Sequence, residues 1–494
     1  MSYTLGIDVG TFETKGSLVD HSGNLVGQAT RAHKMLVPKP GWAEHRPEED
    51  WWGDFCFVSN AILNQTGIKP DAIKAVSCSA IGPCMLPVDS KGDPLTNGIL
   101  YGVDSRAATE ITELNSKIGA EKILKRCGNA LTSQAVGPKI LWFKRTHLDL
   151  FKKTHKILTS TSFIVHRLTN EYVIDHYTAA NFSPLYDVFQ QNWTEDLAGD
   201  IIDLSKLPEL KWSDEIVGRV SSSAASLTGL SEGTPVTTGT IDAAAEALSV
   251  GVEYPGDMML MYGSTIFIIL RTEKRIKDPR LWYAPWLFEG EHAAMAGLST
   301  SGTLTHWFRE QFAQELDPSQ ALVTLVSESE NSPPGAKGLI LLPYFSGERT
   351  PIHDAHAKGV FFGLNLTHDR GDLFRAMIEG IAYGTRHVTD TFKDIGQKPS
   401  KLFAVGGGTK NELWLQATSD ITEMDQDVRE KTIGASYGDA FLAALAISAV
   451  KKSDIKKWNP LKRKVKHQTN PNYKKNYQIF RRLYESTKDL MREI

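Results

Sequence analysis

Apolar positions at the start of the chain fall in short runs separated by turn residues, without the three- and four-residue steps of a helix. Tyr3 to Val9 is one such run, broken at Gly10-Thr11, and Lys15 to Val19 resumes it. The cluster Asp20-His21-Ser22-Gly23-Asn24 then turns the chain before Leu25-Val26. This pattern predicts a strand meander whose first break is a glycine-bearing hairpin. A second meander of similar design occurs in mid-chain: Met258 to Tyr262 is apolar, Gly263-Ser264-Thr265 interrupts it, and Ile266 to Leu270 is rich in β-formers. Before it lies Val250-Gly251-Val252-Glu253-Tyr254-Pro255-Gly256-Asp257, which reads as a junction. Two hairpins of one design, each opening half of the chain, suggest a duplicated fold with domains at 1–250 and 251–494.

Helical periodicity is clearest later. Leu373, Met377, Ile381 and Phe374, Ile378, Ala382 recur at four-residue steps over Asp372 to Gly384, a buried stripe. Asp369 and Asp372 suit the positive N-terminus of that helix. Tyr473, Tyr477, Phe480 and Tyr484 predict a terminal helix with an aromatic face. The basic run Lys462-Arg463-Lys464-Val465-Lys466 before it is short and reads as a solvated, unpaired loop.

Length supports the division, because 494 residues exceed the ~250–300 at which one core stops growing. Apolar residues at 41% and charged residues at 23% are ordinary globular usage. Lys+Arg number 55 against Asp+Glu 58, so no global charge draws nucleic acid or an anionic membrane, and an anion site must be local. MSYTLGIDVG lacks the basic and apolar regions of a secretory signal. No apolar run reaches the ~20 residues of a membrane span. Cys56, Cys78, Cys84 and Cys127 lack metal-site spacing and read as reduced thiols; Cys78 and Cys84 are the pair that could bridge. A soluble, cytoplasmic protein is expected.

Three elements can carry chemistry. In Asp8-Val9-Gly10-Thr11 a carboxylate at a strand end can hold Mg²⁺ through water. Gly10 admits a phosphate to the backbone, Thr11 and Thr14 offer donors, and Lys15 is the nearest cation; a plain turn is the alternative. In Thr240-Ile241-Asp242-Ala243-Ala244-Ala245 an acid stands between a β-run and a helix start, where it either caps the helix or acts as a general base. In Val405-Gly406-Gly407-Gly408-Thr409-Lys410-Asn411 three glycines between a strand and a helix starting at Glu412 permit close approach of a planar base or phosphate. The hairpin lacks GxxxxGK[ST], so it is not a Walker loop.

Together these elements resemble the FGGY family of carbohydrate kinases, in the actin/Hsp70/sugar-kinase superfamily, with a xylulokinase-like pattern. Gly359-Val360-Phe361-Phe362-Gly363-Leu364, continuing through Asp372-Leu373 and Ala376-Met377-Ile378-Glu379, is similar to that family's C-terminal signature. Ser346-Gly347-Glu348-Arg349-Thr350-Pro351 is also typical. Gly137-Pro138-Lys139-Ile140-Leu141-Trp142 resembles the N-terminal signature, with Val136 where a small or hydroxyl residue is usual. Pro40-Gly41-Trp42-Ala43-Glu44 and Trp51-Trp52 resemble the early substrate-side loop. The likeness runs from Gly6 to about Ala444.

The resemblance implies two α/β domains with actin-like (ribonuclease H-like) mixed sheets, flanked by helices, around an interdomain catalytic cleft. It implies ATP and Mg²⁺ as cofactors and a small sugar or polyol as substrate. Asp8 to Thr11 would be the first phosphate loop, Gly263-Ser264-Thr265 the second, Asp242 the base, and Gly406 to Gly408 with Asn411 the adenosine site. Trp42, Asp104, Arg106 and Asp242 would surround the substrate. Family habit makes a homodimer the expectation. Departures concern the substrate. Ile81-Gly82-Pro83 stands where D-xylulose kinases commonly carry Met-His, and Tyr101-Gly102-Val103-Asp104-Ser105-Arg106 replaces a Trp-Asn-Asp stretch. A ketopentose, ketohexose or pentitol all fit. A non-kinase ATPase of the superfamily or a sugar sensor without turnover are the alternatives; the signature, Asp8, Asp242 and the glycine triplet weigh against both.

Overall fold

The computed structural model describes residues 2–197 and 199–494. The chain forms two compact units that are not simple halves. The first comprises the stretch up to Glu253 with Lys274–Ala293 and Ile433–Pro460; the second comprises Tyr254–Glu273, Ala294–Thr432 and Leu461–Ile494. The two units interleave in sequence, because a late segment returns to the first unit. The packing of the first strand explains why.

In the first unit the strand order is Ile216–Arg219, Pro235–Thr237, Ile73–Ala80, Tyr3–Val9, Glu13–Asp20, Leu25–Ala32, with Thr240–Ile241 also pairing Ile73–Ala80. The first three strands of the chain are the expected meander. Side chains alternate along Tyr3–Val9. Leu5, Ile7 and Val9 enter the core that includes Phe55, Val58 and Ile62 of the helix Asp54–Thr66. Thr4, Gly6 and Asp8 take the other face, which the helix Ala435–Ala446 covers. That helix is buried along most of its length and rich in small residues, so it lies close against the sheet. Thr4 Oγ1 donates to Ala440 O at 2.8 Å. A Cβ on Gly6 would lie 2.0 Å from Ser436 O and 2.3 Å from Ala440 N, so only glycine allows the approach. At Gly438 a Cβ would lie 1.9 Å from Ala245 O, which fixes the same helix against Asp242–Ser249.

The second unit has the same core arrangement. Asp257–Tyr262 pairs antiparallel with the next strand, Ile266–Thr272, and parallel with the later strand Lys401–Val405. Gln426–Arg429 and Leu461–Val465 extend that sheet. Both units are thus mixed sheets flanked by helices, as expected. The helix predicted over Asp372 to Gly384 runs from Arg370 to Asp394, and Asp369 and Asp372 form a reciprocal capping box at its start. The terminal helix Pro471–Thr487 buries Tyr473, Tyr477, Phe480 and Tyr484. The basic run is not an unpaired loop. Leu461–Val465 is a strand antiparallel to Gln426–Arg429, with Lys464 Nζ 3.1 Å from Asp427 Oδ1. Lysines on an outer strand guard it against further pairing, which is why the composition misleads.

The four cysteines are free, and Cys78, Cys84 and Cys127 are buried. Among the described residues no helix is long and apolar enough to cross a membrane. The Gly438 contact yields a prediction. Gly438→Val should destabilise the protein by ~1–3 kcal/mol through overpacking, read as a lower urea midpoint; an unchanged midpoint would mean the two helices do not touch.

Candidate active site

Strand register assembles the first group of polar residues. Asp8 lies opposite Lys15 on one side and Ser79 on the other, and Ser79 lies opposite Thr240. Ser79 Oγ is 3.1 Å from Asp8 Oδ1 and 2.7 Å from Asp439 Oδ2. The Ser79 amide also donates to Asp439 Oδ2, at 3.1 Å. One hydroxyl hydrogen can serve only one of these two carboxyl groups, so the other contact requires a carboxyl proton. Asp439 is 0% exposed, and its Oδ1 has no hydrogen-bond partner among the described residues.

Thr240–Ile241 leads into the helix Asp242–Ser249 and presents Asp242 at its first position. Asp242 Oδ1 accepts the Ala243 amide at 2.7 Å, so the residue partly serves the helix end. Glu246 follows one turn later on the same face. Burial raises the Asp242 carboxyl to about 6 against the opposing Ala243 amide. Burial, with Asp242 adding to it, raises Glu246 to about 7 against the pull of Lys15. Asp8 is pushed well above its ordinary value by burial, then by Asp242 and Glu246. Asp439 moves the same way through burial and Asp8. Four carboxyl groups thus crowd one strand end beside a single lysine. Among the described residues no three acids, histidines or cysteines stand in direct metal-ligand geometry. The group fits a divalent ion held through its waters, as magnesium prefers.

The Gly10–Thr14 turn closes through Gly10 N donating to Glu13 O at 2.9 Å. The Thr14 hydroxyl is buried and lies 3.2 Å from Asp54 Oδ2, so it points into the fold and is not a free donor. Lys15 Nζ pairs with Glu13 Oε1 at 2.6 Å.

Asp104 and Arg106 are used differently from the expectation. Asp104 is 0% exposed. Its Oδ2 accepts the Ala43 amide at 2.7 Å and Arg106 Nη2 at 2.7 Å, while Oδ1 accepts Arg106 N and Nε at 3.1 and 2.9 Å. Arg106 also pairs with Glu44 at 2.9 Å and lies 4.0 Å above the Trp42 ring. Buried charges must be paired, and these two pair with each other and with the loop. Lys139, 1% exposed, donates to Leu100 O and Tyr101 O at 2.5 and 2.9 Å just before them. Burial lowers its amine to about 8 although Asp104 opposes this. Trp42 is half-buried, with the Trp142 ring 5.3 Å away edge-on. Ile81-Gly82-Pro83 lies near Asp242, since a Cβ on Gly82 would be 2.9 Å from Ile241 Cγ1.

In the second unit the turn Gly263-Ser264-Thr265 is held by the start of the helix Gly302–Phe312. Gly263 O accepts Gly302 N at 3.0 Å and Ser301 Oγ at 2.9 Å; Ser264 O accepts Thr303 N at 3.2 Å and Thr303 Oγ1 at 2.8 Å. Gly406–Gly408 follows the strand Lys401–Val405, and a Cβ on Gly408 would lie 2.8 Å from both the Trp414 ring and Tyr262 Cβ. A Cβ on Gly407 would meet nothing within 4 Å, which leaves an open backbone shelf. Asn411 caps the next helix by accepting the Trp414 amide at 3.0 Å.

Sequence reasoning missed Ser79, Glu246, Asp439 and Lys139. Asp439 had a signal, a lone carboxylate inside the small, apolar helix Ala435–Ala446. Glu246 had one too, at four residues from Asp242. Ser79 had none, because only strand register brings it to Asp8.

The N-terminal domain model of the FGGY family of carbohydrate kinases matches residues 3–249, and the C-terminal domain model matches 258–447. The chain belongs to the FGGY family of carbohydrate kinases. It is therefore an enzyme, a phosphotransferase with an alcohol group as acceptor. This FGGY kinase is 29% identical to a xylulose kinase of Escherichia coli (strain K12), over 99% of each chain. It is 26% identical to a gluconokinase of Bacillus subtilis (strain 168), over 92% of this chain and 89% of the relative. The crystal structure of xylulose kinase from Rhodospirillum rubrum matches at 30% identity and a TM-score of 0.92, over 99% of this chain and 100% of that one.

The carboxyl cluster of this FGGY kinase should make its stability depend on pH. Asp242 at about 6 and Glu246 at about 7 stand above the ordinary 3.8 and 4.5, so the folded state binds protons more tightly than the unfolded one. Their contribution is then fully present below about pH 4 and is lost as pH rises through about 6 to 7. Comparing melting temperatures at pH 5 and 7.5 for the parent and for Asp242→Asn/Glu246→Gln isolates it. The pH difference should shrink in the double variant; an equal difference in both would assign the effect elsewhere.

Proposed function

We propose that this kinase transfers the terminal phosphoryl group of ATP to a hydroxyl of a small sugar or polyol, with Asp242 as general base. The observation that carries the reading is Asp242 itself, half-buried at the first turn of its helix with its carboxyl raised to about 6. A base works best when its proton affinity lies near the working pH, strong enough to accept a hydroxyl proton as the O–P bond forms. Burial provides that here. Asp242 takes the proton, and the hydroxyl oxygen attacks.

The Gly10–Thr14 and Gly263–Thr265 turns suit phosphate oxygens, and the open shelf at Gly406–Gly408 suits the adenine face. Magnesium, when bound, would neutralise phosphate charge, and Asp8 would hold its waters. On the acceptor side, Trp42 and the Ile81-Gly82-Pro83 segment are the contacts we assign. Asp104 and Arg106 shape that side by holding their loop. The relatives are named for xylulose and for gluconate, and the segment at Ile81 lacks a histidine. A ketopentose, ketohexose or pentitol is the proposed acceptor class, and gluconate is the control that separates them from a sugar acid. A homodimer is part of the same proposal.

ADP release should be followed with Mg²⁺ across ketoses, aldoses, pentitols and gluconate. One compound should raise turnover well above background, and Asp242→Asn should lower kcat by roughly 10²–10⁴-fold, the usual value of a general base. ATP affinity by calorimetry should stay within about twofold, since the base touches the acceptor. Undiminished turnover in Asp242→Asn removes Asp242 from the mechanism.

A further inference from the structure

The Gly10–Thr14 turn has a second feature that the sequence pattern did not disclose. Its three successive carbonyls each have a donor. His33 Nε2 lies 3.0 Å from Gly10 O, His45 Nε2 lies 3.1 Å from Thr11 O, and the His33 amide donates to Phe12 O at 2.9 Å. In a planar trans peptide the following N–H points opposite to the C=O. The amides of Thr11, Phe12 and Glu13 therefore face away from the histidines together, as successive N–H groups must to receive an anion.

The two rings are oriented by different partners. Trp51 Nε1, which can only donate, lies 3.0 Å from His45 Nδ1. That nitrogen is therefore the acceptor, and Nε2 carries the hydrogen given to Thr11 O. Burial, reinforced by His33 with its ring centre 4.9 Å away, lowers His45 to about 4, so it stays neutral. His33 has acceptors at both nitrogens: Asp54 Oδ2 at 2.8 Å from Nδ1, and Gly10 O at Nε2. Asp54 is itself a carboxylate paired with Arg31 Nε at 3.1 Å and bonded by Thr14. The Gly10 carbonyl has no hydrogen to give, so Nε2 must supply it. Its side chain is 3% exposed, so water does not substitute for either contact. Asp54 from the helix Asp54–Thr66, Arg31 behind it on Leu25–Ala32, and His45 are the ionisable groups around it.

We infer that His33 is a positioning residue of this turn: seated against Asp54, its ring donates from Nε2 to the Gly10 carbonyl, pins it, and so keeps the amides of residues 11–13 aimed at the phosphates of the nucleotide. His33 touches no reacting atom, and the inference rests on reading Gly10–Thr14 as a phosphate turn.

The test uses the full chain with ATP and the acceptor found active. His33→Phe keeps a ring and loses both nitrogens. It should raise the KM for ATP roughly tenfold, the value of one hydrogen bond to a charged group. The KM for the acceptor, and kcat at saturating ATP, should stay within about twofold, a split that general loss of structure would not give. His33→Gln, which retains one N–H for Gly10 O, should recover part of the loss. Independently, ¹⁵N-histidine NMR of the unaltered protein should show His33 and His45 each carrying a hydrogen on Nε2. An ATP KM within about twofold of the parent in folded His33→Phe overturns the inference, and so does a His33 ring with no hydrogen on Nε2; the NMR result decides if His33→Phe does not fold. Asp8→Asn in parallel separates the two levels. If it impairs ATP use and His33→Phe does not, the inference alone fails. If neither variant affects ATP use, the phosphate-turn reading fails and takes the inference with it.

Discussion

Four carboxyl groups around the end of one strand are the constraint on which the first unit turns. Asp8, Asp242, Glu246 and Asp439 repel one another when ionised, and burial disfavours each charge further. Such a group does not assemble for stability's sake; the surrounding fold must hold it together. Gly6 and Gly438 do so by removing the side chains that would keep Ala435–Ala446 away from its neighbours. Ser79 links two of the acids, and the Ala435 amide offsets part of the charge on Glu246. This is also why the unit is discontinuous in sequence. The acid completing the cluster comes from residue 439, and the strand it serves begins the chain.

In the function we propose, each turn has a different problem to solve, presenting donors to phosphate oxygens in a protein of net charge -3. Side-chain cations are scarce where they would be wanted, and Lys15 is already engaged by Glu13. Backbone amides can take over only if they stay aligned, and alignment is set by where the carbonyls are tied. The first turn is tied by two histidines and a main-chain amide, the second by Ser301, Gly302 and Thr303 at a helix start. The two units thus share the device while using unrelated residues for it. A sequence comparison of the two hairpins would see only the glycine and the small hydroxyl residues.

That difference explains how much could be read in advance. The strands, the terminal helix and the two glycine-bearing turns were legible, because each is written in residues close together in sequence. The strongest family likeness was legible too, yet it lies in scaffold. A Cβ on Gly359 would lie 2.1 Å from the Phe345 ring, and Glu379 is buried against Arg375 at 2.8 Å and the Gly335 amide at 3.0 Å. What could not be read depends on register and distant packing. Ser79 reaches Asp8 across 71 positions and Asp439 across 360. The pairing of Asp104 with Arg106 was not legible either. Their residue types suit hydroxyl binding, but burial forces them to satisfy each other before any ligand arrives.

Acceptor recognition then has to come from elsewhere than a pair of free charges. Arg106, stacked on Trp42 and tied to Asp104 and Glu44, sets the position of that indole, and Lys139 fixes the carbonyls of Leu100 and Tyr101 beside it. Such a wall is rigid and mostly apolar at its surface, so it discriminates by shape, with few hydrogen bonds to lose. A missing or extra methylene against such a surface changes affinity by only ~1–3 kcal/mol, whereas an unmet polar group changes it far more. In the function we propose, a pocket without the histidine at the Ile81 segment should accordingly tolerate several polyols of one length, and Asp242, assigned to the attacking hydroxyl, becomes the group that decides which of them is turned over.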